Sequence, residues 1–242
     1  MAHTPKQQTP QQKLHRFNNV LFYVTLGLGV ASIAYLLIRG NSTTTEVIFR
    51  AMQFVLMLIL LKAPDILRLR YRIEVPAIMS ITVIIFAFSA LVMGDGLDFY
   101  GRIPWWDKLL HAESGILLSI VALWLIHIIM AENEKYIYFN KYFLCLFLVL
   151  FSLGIGAFWE ILEFSYDSIA GTNSQQFMLS TTSSIILPTD IPKQGHAALE
   201  DTMWDLILDF LGALLVAIVG FIRHDDIVAY YQSIIAKQQT EP

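Results

Sequence analysis

The stretch Thr202–Ile222, TMWDLILDFLGALLVAIVGFI, decides the fold of this chain. Apart from Asp205 and Asp209 it is almost entirely apolar on every side, whereas a soluble amphipathic helix carries a polar stripe with a period of 3.6 residues. A helix needs about 20 such residues to cross a hydrocarbon core about 30 Å thick. The stretch therefore predicts a membrane-spanning helix with acidic side chains toward one end.

Comparable apolar runs lie upstream of this stretch. The composition agrees, because 56% of the residues are hydrophobic and only 15% are charged, a balance outside the range of soluble domains. We therefore predict an all-α fold, a polytopic transmembrane helical bundle of about six spans. The predicted spans are Asn18–Ile38, Val47–Leu61, Val75–Met93, Trp106–Met130, Tyr142–Phe164 and Thr202–Ile222.

The polar segments divide the chain further. Residues 1–17 hold too little apolar surface to fold alone and predict a flexible cytoplasmic tail. Residues 18–222 form the predicted transmembrane domain, in which the connection 165–201 is a long outer loop that could act as a lid, and residues 223–242 are a second cytoplasmic tail. With the N-terminus inside, eleven of the 16 Lys and Arg residues fall on the inner side, so the positive-inside rule places both termini in the cytoplasm.

Ionisable side chains inside or at the ends of the spans are expensive to place in a membrane, so they are candidate functional residues. They form three groups, each with spacing that puts its members near one helix face. Under the predicted topology all three groups lie at the same outer level and could surround a polar pocket. The groups are Asp107 with His111, Glu160 with Glu163, and Asp201 with Asp205 and Asp209.

One imidazole and several carboxylates suit a divalent cation such as Mg²⁺, Mn²⁺ or Zn²⁺. Such a cation could activate water or polarise a phosphoryl or carbonyl oxygen of a lipid-linked substrate. All seven residues are candidate metal ligands, and five are candidate catalytic residues: Asp107, His111, Glu160, Glu163 and Asp205. The pattern thus predicts metal-assisted hydrolysis or transfer on a lipid or envelope precursor.

Two other classes of function remain open. Crowded carboxylates beside His111 could exchange protons and form part of an ion-coupled transporter, although the apolar inner half of the last span argues against a continuous polar path. The same residues could instead form a hydrogen-bonded network that only holds three helices together. A structural role predicts that Asp205→Asn lowers stability, whereas the other two predict lost activity with the fold intact.

At these residues the sequence resembles the YjdF-like family of bacterial inner-membrane proteins over about 103–214. The resemblance rests on the segments Trp106–His111, Glu160–Glu163 and Asp201–Asp205, with Gly115 and Gly212. The Asp-Lys-x-x-His at the start of a helix is also distantly similar to VanZ-like membrane proteins. The chain departs from the family just before the last span, where His196 lies in place of an expected Gly-Asp-x-Trp-Asp run and is a further candidate ligand or a plain loop histidine.

The resemblance implies a multi-pass protein of the bacterial cytoplasmic membrane and supplies no reaction. Membrane lipids and a lipid-linked substrate are the expected partners, and no nucleic-acid partner is expected. Cys145 is the single cysteine, so an internal disulfide is excluded. No His-Glu-x-x-His zinc motif and no recognisable serine nucleophile motif is present.

Overall fold

A computed structural model describes residues 10–40, 44–71, 75–97, 99–132, 140–179, 186 and 188–240. The first nine residues of the predicted N-terminal tail lie outside the described part, as do residues 180–185 and 187 of the predicted outer loop. The regular structure described is helical except for an isolated antiparallel bridge between Met178 and Pro192. The all-α prediction is thus confirmed for these residues.

Eight α-helices follow one another along the described chain. They are α1 (Pro10–Arg39), α2 (Thr44–Tyr71), α3 (Ala77–Ala87), α4 (Phe99–Arg102), α5 (Trp106–Glu132), α6 (Lys141–Ala170), α7 (Glu200–Ile222) and α8 (His224–Thr240). A π-helical segment, Phe88–Gly96, continues α3, and a 3-10 turn, Gly195–Ala198, precedes α7. The chain divides into two compact units, Met1–Ile103 and Pro104–Pro242.

The first unit packs α1, α2, α3 and the π-helical segment around an apolar core. Gly29 of α1 lies so close to the Phe54 ring that an added Cβ would come within 2.9 Å of it, which lets the two helices approach each other. Asn18 donates from its side chain to the carbonyl of Leu61 across the same pair of helices, at 3.3 Å. The buried core residues are Phe54, Met57, Leu61, Ile84, Ala87 and Val92.

The second unit is built on α5, α6 and α7, each of which packs against the other two. Toward the C-terminal end of α5 and α7 the contacts are apolar, through Ala122, Ile126, Leu144, Leu148 and Ala217. Toward the N-terminal end of α5 and α7 the buried residues are mostly charged. The unit therefore has an apolar half and a polar half along the same three helices.

Local sequence explains the ends of α6. Asn140 caps the helix by accepting a hydrogen bond from the backbone N–H of Tyr142 at 2.9 Å. The helix continues six residues beyond the predicted end at Phe164, and in this last part the hydroxyls of Ser165 and Ser168 bond to carbonyls one turn earlier. Gly171, with φ +68°, then ends the helix in the left-handed conformation that glycine adopts without strain.

Four helices are long and apolar enough to cross a membrane: His15–Arg39, Trp106–Ile126, Lys141–Ala170 and Glu200–Ile222. Met79–Gly94 is a shorter apolar helix, so the predicted third span is present as a helix but falls short of that length. In α2, Arg50, Lys62 and Asp65 interrupt the apolar run among the residues whose side chains are described. The predicted count of six spans is therefore not confirmed, nor is the cytoplasmic placement of the termini.

Candidate functional site

The charged residues of the second unit meet between α5, α6 and α7, and we call this group the polar cluster. It comprises Asp107, Lys108 and His111 of α5, Glu160 of α6, and Asp201, Asp205 and Asp209 of α7. The three aspartates of α7 are four residues apart, so each lies one helical turn below the last on one face. Six of the seven residues predicted from the sequence are thus brought together.

His111 lies at the centre of one half of the polar cluster. Its Nδ1 is 3.2 Å from Oδ2 of Asp209, and its Nε2 is 3.9 Å from both Oδ1 of Asp107 and Oε1 of Glu160. An ionised carboxylate can only accept a hydrogen bond, so with Asp209 ionised Nδ1 carries the proton and donates it. If the imidazole is neutral, Nε2 then has a free lone pair. Nε2 is the nitrogen that faces the carboxylates of Asp107 and Glu160.

Lys108 occupies the other half of the polar cluster. Its ammonium group lies 2.8 and 2.9 Å from the two oxygens of Asp205, contacts Oδ1 of Asp201, and is 3.3 Å from Oδ2 of Asp107. Asp205 is almost completely buried, so this contact compensates the cost of removing its charge from water. Lys108 therefore balances the aspartates of α7 nearest the helix N-terminus.

Negative charge exceeds positive charge in the polar cluster. Five carboxylates face one lysine and one histidine, so even with His111 protonated these seven residues would keep an excess of three negative charges if all five carboxylates were ionised. In the described part of the chain, Glu160 Oε1 and Asp201 Oδ2 are buried and accept no hydrogen bond. A buried polar atom without a partner costs about 1–3 kcal/mol.

Asp209 lies at the bottom of the polar cluster, in a space made by glycines. The hydroxyl of Ser114 donates to its Oδ1, and its side chain is fully buried. A Cβ on Gly156 of α6 would lie 2.9 Å from the Asp209 Cγ, and a Cβ on Gly115 of α5 would overlap the Asp209 backbone. The two glycines thus allow α5, α6 and α7 to close around this carboxylate.

Three residues of the polar cluster have ligand atoms close enough together for a metal site. Ligand atoms of Asp107, His111 and Asp205 lie within 4.8 Å of one another. Two atoms that share one ion at bonds of about 2.0–2.2 Å are at most about 4.4 Å apart, so small side-chain movements would suffice. Both oxygens of Asp205 already contact Lys108, whereas Oε1 of Glu160 has no hydrogen-bond donor in the described residues.

Glu163 and His196 are the two remaining residues singled out from the sequence. Glu163 is half-buried on α6 and accepts a hydrogen bond from the indole N–H of Trp159 at 2.9 Å. It lies close enough to Asp107, Glu160 and His111 to interact with them electrostatically, although no hydrogen bond or ion pair in the described residues joins it to His111 or to the aspartates of α7. His196 is exposed in the 3-10 turn before α7. The place of Glu163 in the pocket therefore stays a prediction, with its carboxylate hydrogen-bonded to the indole one turn earlier.

Other contributors were not predicted as site residues. The positive-inside rule uses Lys108 only as a topological charge, although its position directly after Asp107 in the first turn of α5 is a sequence signal for a role beside the acidic residues. Ser114 is three residues after His111 and therefore on the same face. Gln175 and Gln176 reach the polar cluster from the connection after α6, where no periodic pattern gives a position.

Comparison with known proteins gives a family. A family model described as a predicted membrane protein, DUF2238, matches residues 20–226. An uncharacterized protein of Thermotoga maritima is 31% identical over 146 residues, which are 60% of this chain and 62% of that relative, so the match covers less than two thirds of the relative's length. No solved structure matches the chain. Because the family model covers most of the chain, the protein belongs to the DUF2238 family of predicted membrane proteins.

The family description agrees with the predicted membrane location and assigns no activity. The more specific resemblances to YjdF-like and VanZ-like proteins are not confirmed by these matches. The function therefore has to be argued from the polar cluster itself.

Proposed function

We propose that this member of the DUF2238 family binds a divalent metal ion in the polar cluster and uses it for hydrolysis or group transfer on a lipid-linked substrate. One observation carries the proposal. His111 is held through Nδ1 by Asp209, and its Nε2 faces Asp107 and Glu160 oxygens at equal distances of 3.9 Å. A metal-binding histidine usually donates its other ring N–H to a carboxylate or a backbone carbonyl, and the carboxylates that face Nε2 are available as further ligands.

The ligands in this proposal are Nε2 of His111, Oδ1 of Asp107 and Oε1 of Glu160. The last atom is an independent indication, because Glu160 is 95% buried and this oxygen accepts no hydrogen bond from any described residue. A cation at this position would satisfy it and would also reduce the excess negative charge of the polar cluster. Mixed nitrogen and oxygen ligands suit Zn²⁺ and Mn²⁺, and Mg²⁺ more weakly.

The remaining residues take supporting roles. A bound ion would polarise a phosphoryl or carbonyl oxygen of the substrate and make an attacking water more acidic. Asp205 lies within reach of the ligand atoms and is placed to accept the proton of that water, while Lys108 holds its carboxylate in place. Asp201 pairs with Lys108 rather than serving as a ligand, and Asp209 orients His111.

A lipid substrate fits the surroundings of the polar cluster. Trp105 just before α5, Trp159 of α6 and Trp204 of α7 lie toward the helix ends that carry the polar cluster, and each is about half exposed, at 59%, 47% and 51%. Exposed tryptophans at one level of a membrane bundle are typical of the interface between headgroups and acyl chains. A substrate headgroup at this depth could reach the polar cluster while its acyl chains stay in the bilayer.

The proposal includes the arrangement in the membrane. We propose six spans in the bacterial cytoplasmic membrane, with both termini inside and the polar cluster open to the outer side. The excess of Lys and Arg in the inner connections supports this orientation. The two spans beyond the four long apolar helices would be α2 and the helix that begins as α3 and ends with the π-helical segment.

A transporter is less well supported. An ion path would have to continue from Asp209 toward the C-terminal end of α7, and there the three helices pack through Leu144, Leu148, Ala122 and Ala217. Ser119 and Ser152 lie in this region, but both hydroxyls donate to backbone carbonyls of neighbouring helices. Such bonds hold helices together and leave no chain of exchangeable side chains.

The enzymatic proposal is tested on lipids. Purified protein is incubated with a bacterial membrane lipid extract and Mn²⁺, Zn²⁺ or Mg²⁺, and the products are followed by mass spectrometry. We expect a lipid-derived product that needs the ion, and a loss of about 100-fold or more in His111→Ala, whereas Gln194→Ala in the exposed outer connection should resemble the wild type. An unchanged extract although an ion is bound would overturn the catalytic part of the proposal and leave a metal-binding protein.

A further inference from the structure

The connection after α6 contacts the polar cluster through two neighbouring glutamines. The side-chain amide of Gln175 donates to Oε2 of Glu160 at 3.5 Å and to the hydroxyl of Thr202 at 3.0 Å. The amide of Gln176 donates to Oδ2 of Asp107 at 3.4 Å. Each glutamine therefore holds one oxygen of a carboxylate whose other oxygen lies 3.9 Å from Nε2 of His111.

The backbone that carries these glutamines is fixed by Asp167. This buried carboxylate accepts hydrogen bonds from the hydroxyl of Thr172 at 2.6 Å, the N–H of Ser174 at 2.7 Å and the N–H of Gln175 at 2.9 Å. Three donors on one carboxylate define the turn immediately after α6. The position of the Gln175 side chain follows from that turn.

A second set of bonds, between backbone groups, joins residues 177–179 to residues 191–193 farther along the same connection. The antiparallel bridge between Met178 and Pro192 is accompanied by backbone bonds from Leu179 to Ile191 at 2.8 Å and from Lys193 to Phe177 at 2.7 Å. Between the Asp167 turn and this bridge, Gln176 has a φ of +48°, in the left-handed region that residues other than glycine rarely adopt. Strain of this kind persists where the surrounding bonds over-determine the backbone, which is common at functional sites.

We infer that Gln175 and Gln176 are positioning residues of the metal site, an inference that rests on the proposed function. By holding the outer oxygens of Glu160 and Asp107, they turn the inner oxygens toward Nε2 of His111. A carboxylate that binds an ion through one oxygen can otherwise rotate, and outer hydrogen bonds to ligands typically change metal affinity by about 10–100-fold. The glutamines act through the two carboxylates and do not themselves bind the ion.

The alternative is that both glutamines only attach the connection to the helices. Gln176→Gly separates the two roles, because glycine adopts a φ of +48° without strain while the amide is lost. A purely structural glutamine would change stability and leave metal affinity unchanged. A positioning glutamine would lower metal affinity in a variant that is folded as well as the wild type.

The experiment measures Mn²⁺ and Zn²⁺ affinity of the purified full chain by competition with a fluorescent chelator, alongside its metal-free thermal unfolding. Gln175→Ala, Gln176→Ala and Gln176→Gly should each bind about 10–100-fold more weakly than the wild type, and the control Gln194→Ala should be unchanged. Wild-type affinity in Gln176→Gly and Gln175→Ala would overturn the inference alone. Absence of metal binding in the wild type would overturn the proposed function and this inference with it.

Discussion

The imidazole of His111 and the carboxylate of Asp209 lie 3.2 Å apart between α5 and α7, and both side chains are buried. The residues are 98 positions apart in the sequence, so only the packing of the two helices brings them together. Ser114 fixes the other oxygen of Asp209 from the same helix as His111. The pair therefore sets the direction in which Nε2 of His111 points.

Asp209→Asn should lower metal affinity without lowering stability, which would separate the role of Asp209 in orienting His111 from a structural role. The amide has nearly the same volume, but its NH2 group can donate to Nδ1 and so leave the proton on Nε2, where it blocks metal binding. Metal affinity should fall by about 10–100-fold. The metal-free protein should melt near the wild-type temperature, because the amide can keep a hydrogen bond with both Nδ1 of His111 and the hydroxyl of Ser114. Equal metal affinity in chelator competition would show that Asp209 does not orient His111.

Gly156→Ala should destabilise the second unit. The new Cβ would lie 2.9 Å from the Asp209 Cγ, in a space that has no room for it, and overpacking of this kind costs about 1–3 kcal/mol. Gly154→Ala is the matched control, because a Cβ there meets no atom within 4 Å. Thermal unfolding in detergent compares the two variants. The packing account is wrong if both alanines have the same effect.

Lys108→Met should lower stability much more than loss of a lysine elsewhere. It leaves Asp201 and Asp205 buried without their cation, and breaking a buried ion pair costs about 3–5 kcal/mol. Lys141→Met is the control, because that lysine lies over the rings of Tyr142 and Phe221, at 5.5 and 4.6 Å from their centroids, and forms no ion pair within the described part of the chain. Equal unfolding temperatures of the two variants would argue that the aspartates are not ionised together with Lys108.

Cysteine labelling should report the proposed orientation. Cys145 is the single native cysteine, so Cys145→Ser gives a background without thiols. In intact cells a membrane-impermeant maleimide should label Gln194→Cys, which is exposed in the connection before α7, and should reach Asp226→Cys in α8 only after permeabilisation. The reverse pattern would place the polar cluster on the cytoplasmic side.

The helices and the convergence of the charged residues follow from simple periodicity. Apolar runs long enough to span a bilayer indicate helices, and a spacing of four residues keeps Asp201, Asp205 and Asp209 on one face of α7. The antiparallel order of α5, α6 and α7 then brings Glu160 to the same level as His111. These relationships depend on helix geometry alone, so the sequence was sufficient to predict them.

The features that the sequence did not predict depend on which partner each individual side chain contacts. Glu163 is hydrogen-bonded to Trp159, because Trp159 lies one turn before it and donates its indole N–H to it, whereas Glu160 faces His111. Gln175 and Gln176 come from an irregular turn whose shape depends on Asp167, and no hydropathy pattern encodes such a turn. The contacts of Lys108 could not be predicted either, because they depend on how α5 and α7 are rotated relative to each other.

The central claim, that the polar cluster binds a divalent cation through His111, is tested most directly by metal content. Wild-type protein and His111→Ala are loaded with Mn²⁺ or Zn²⁺, freed of unbound ion, and analysed by inductively coupled plasma mass spectrometry, with circular dichroism to check that both stay helical. We expect about one ion per wild-type chain and a large loss in the variant. Equal metal content in the two proteins, or none in the wild type, would contradict the account.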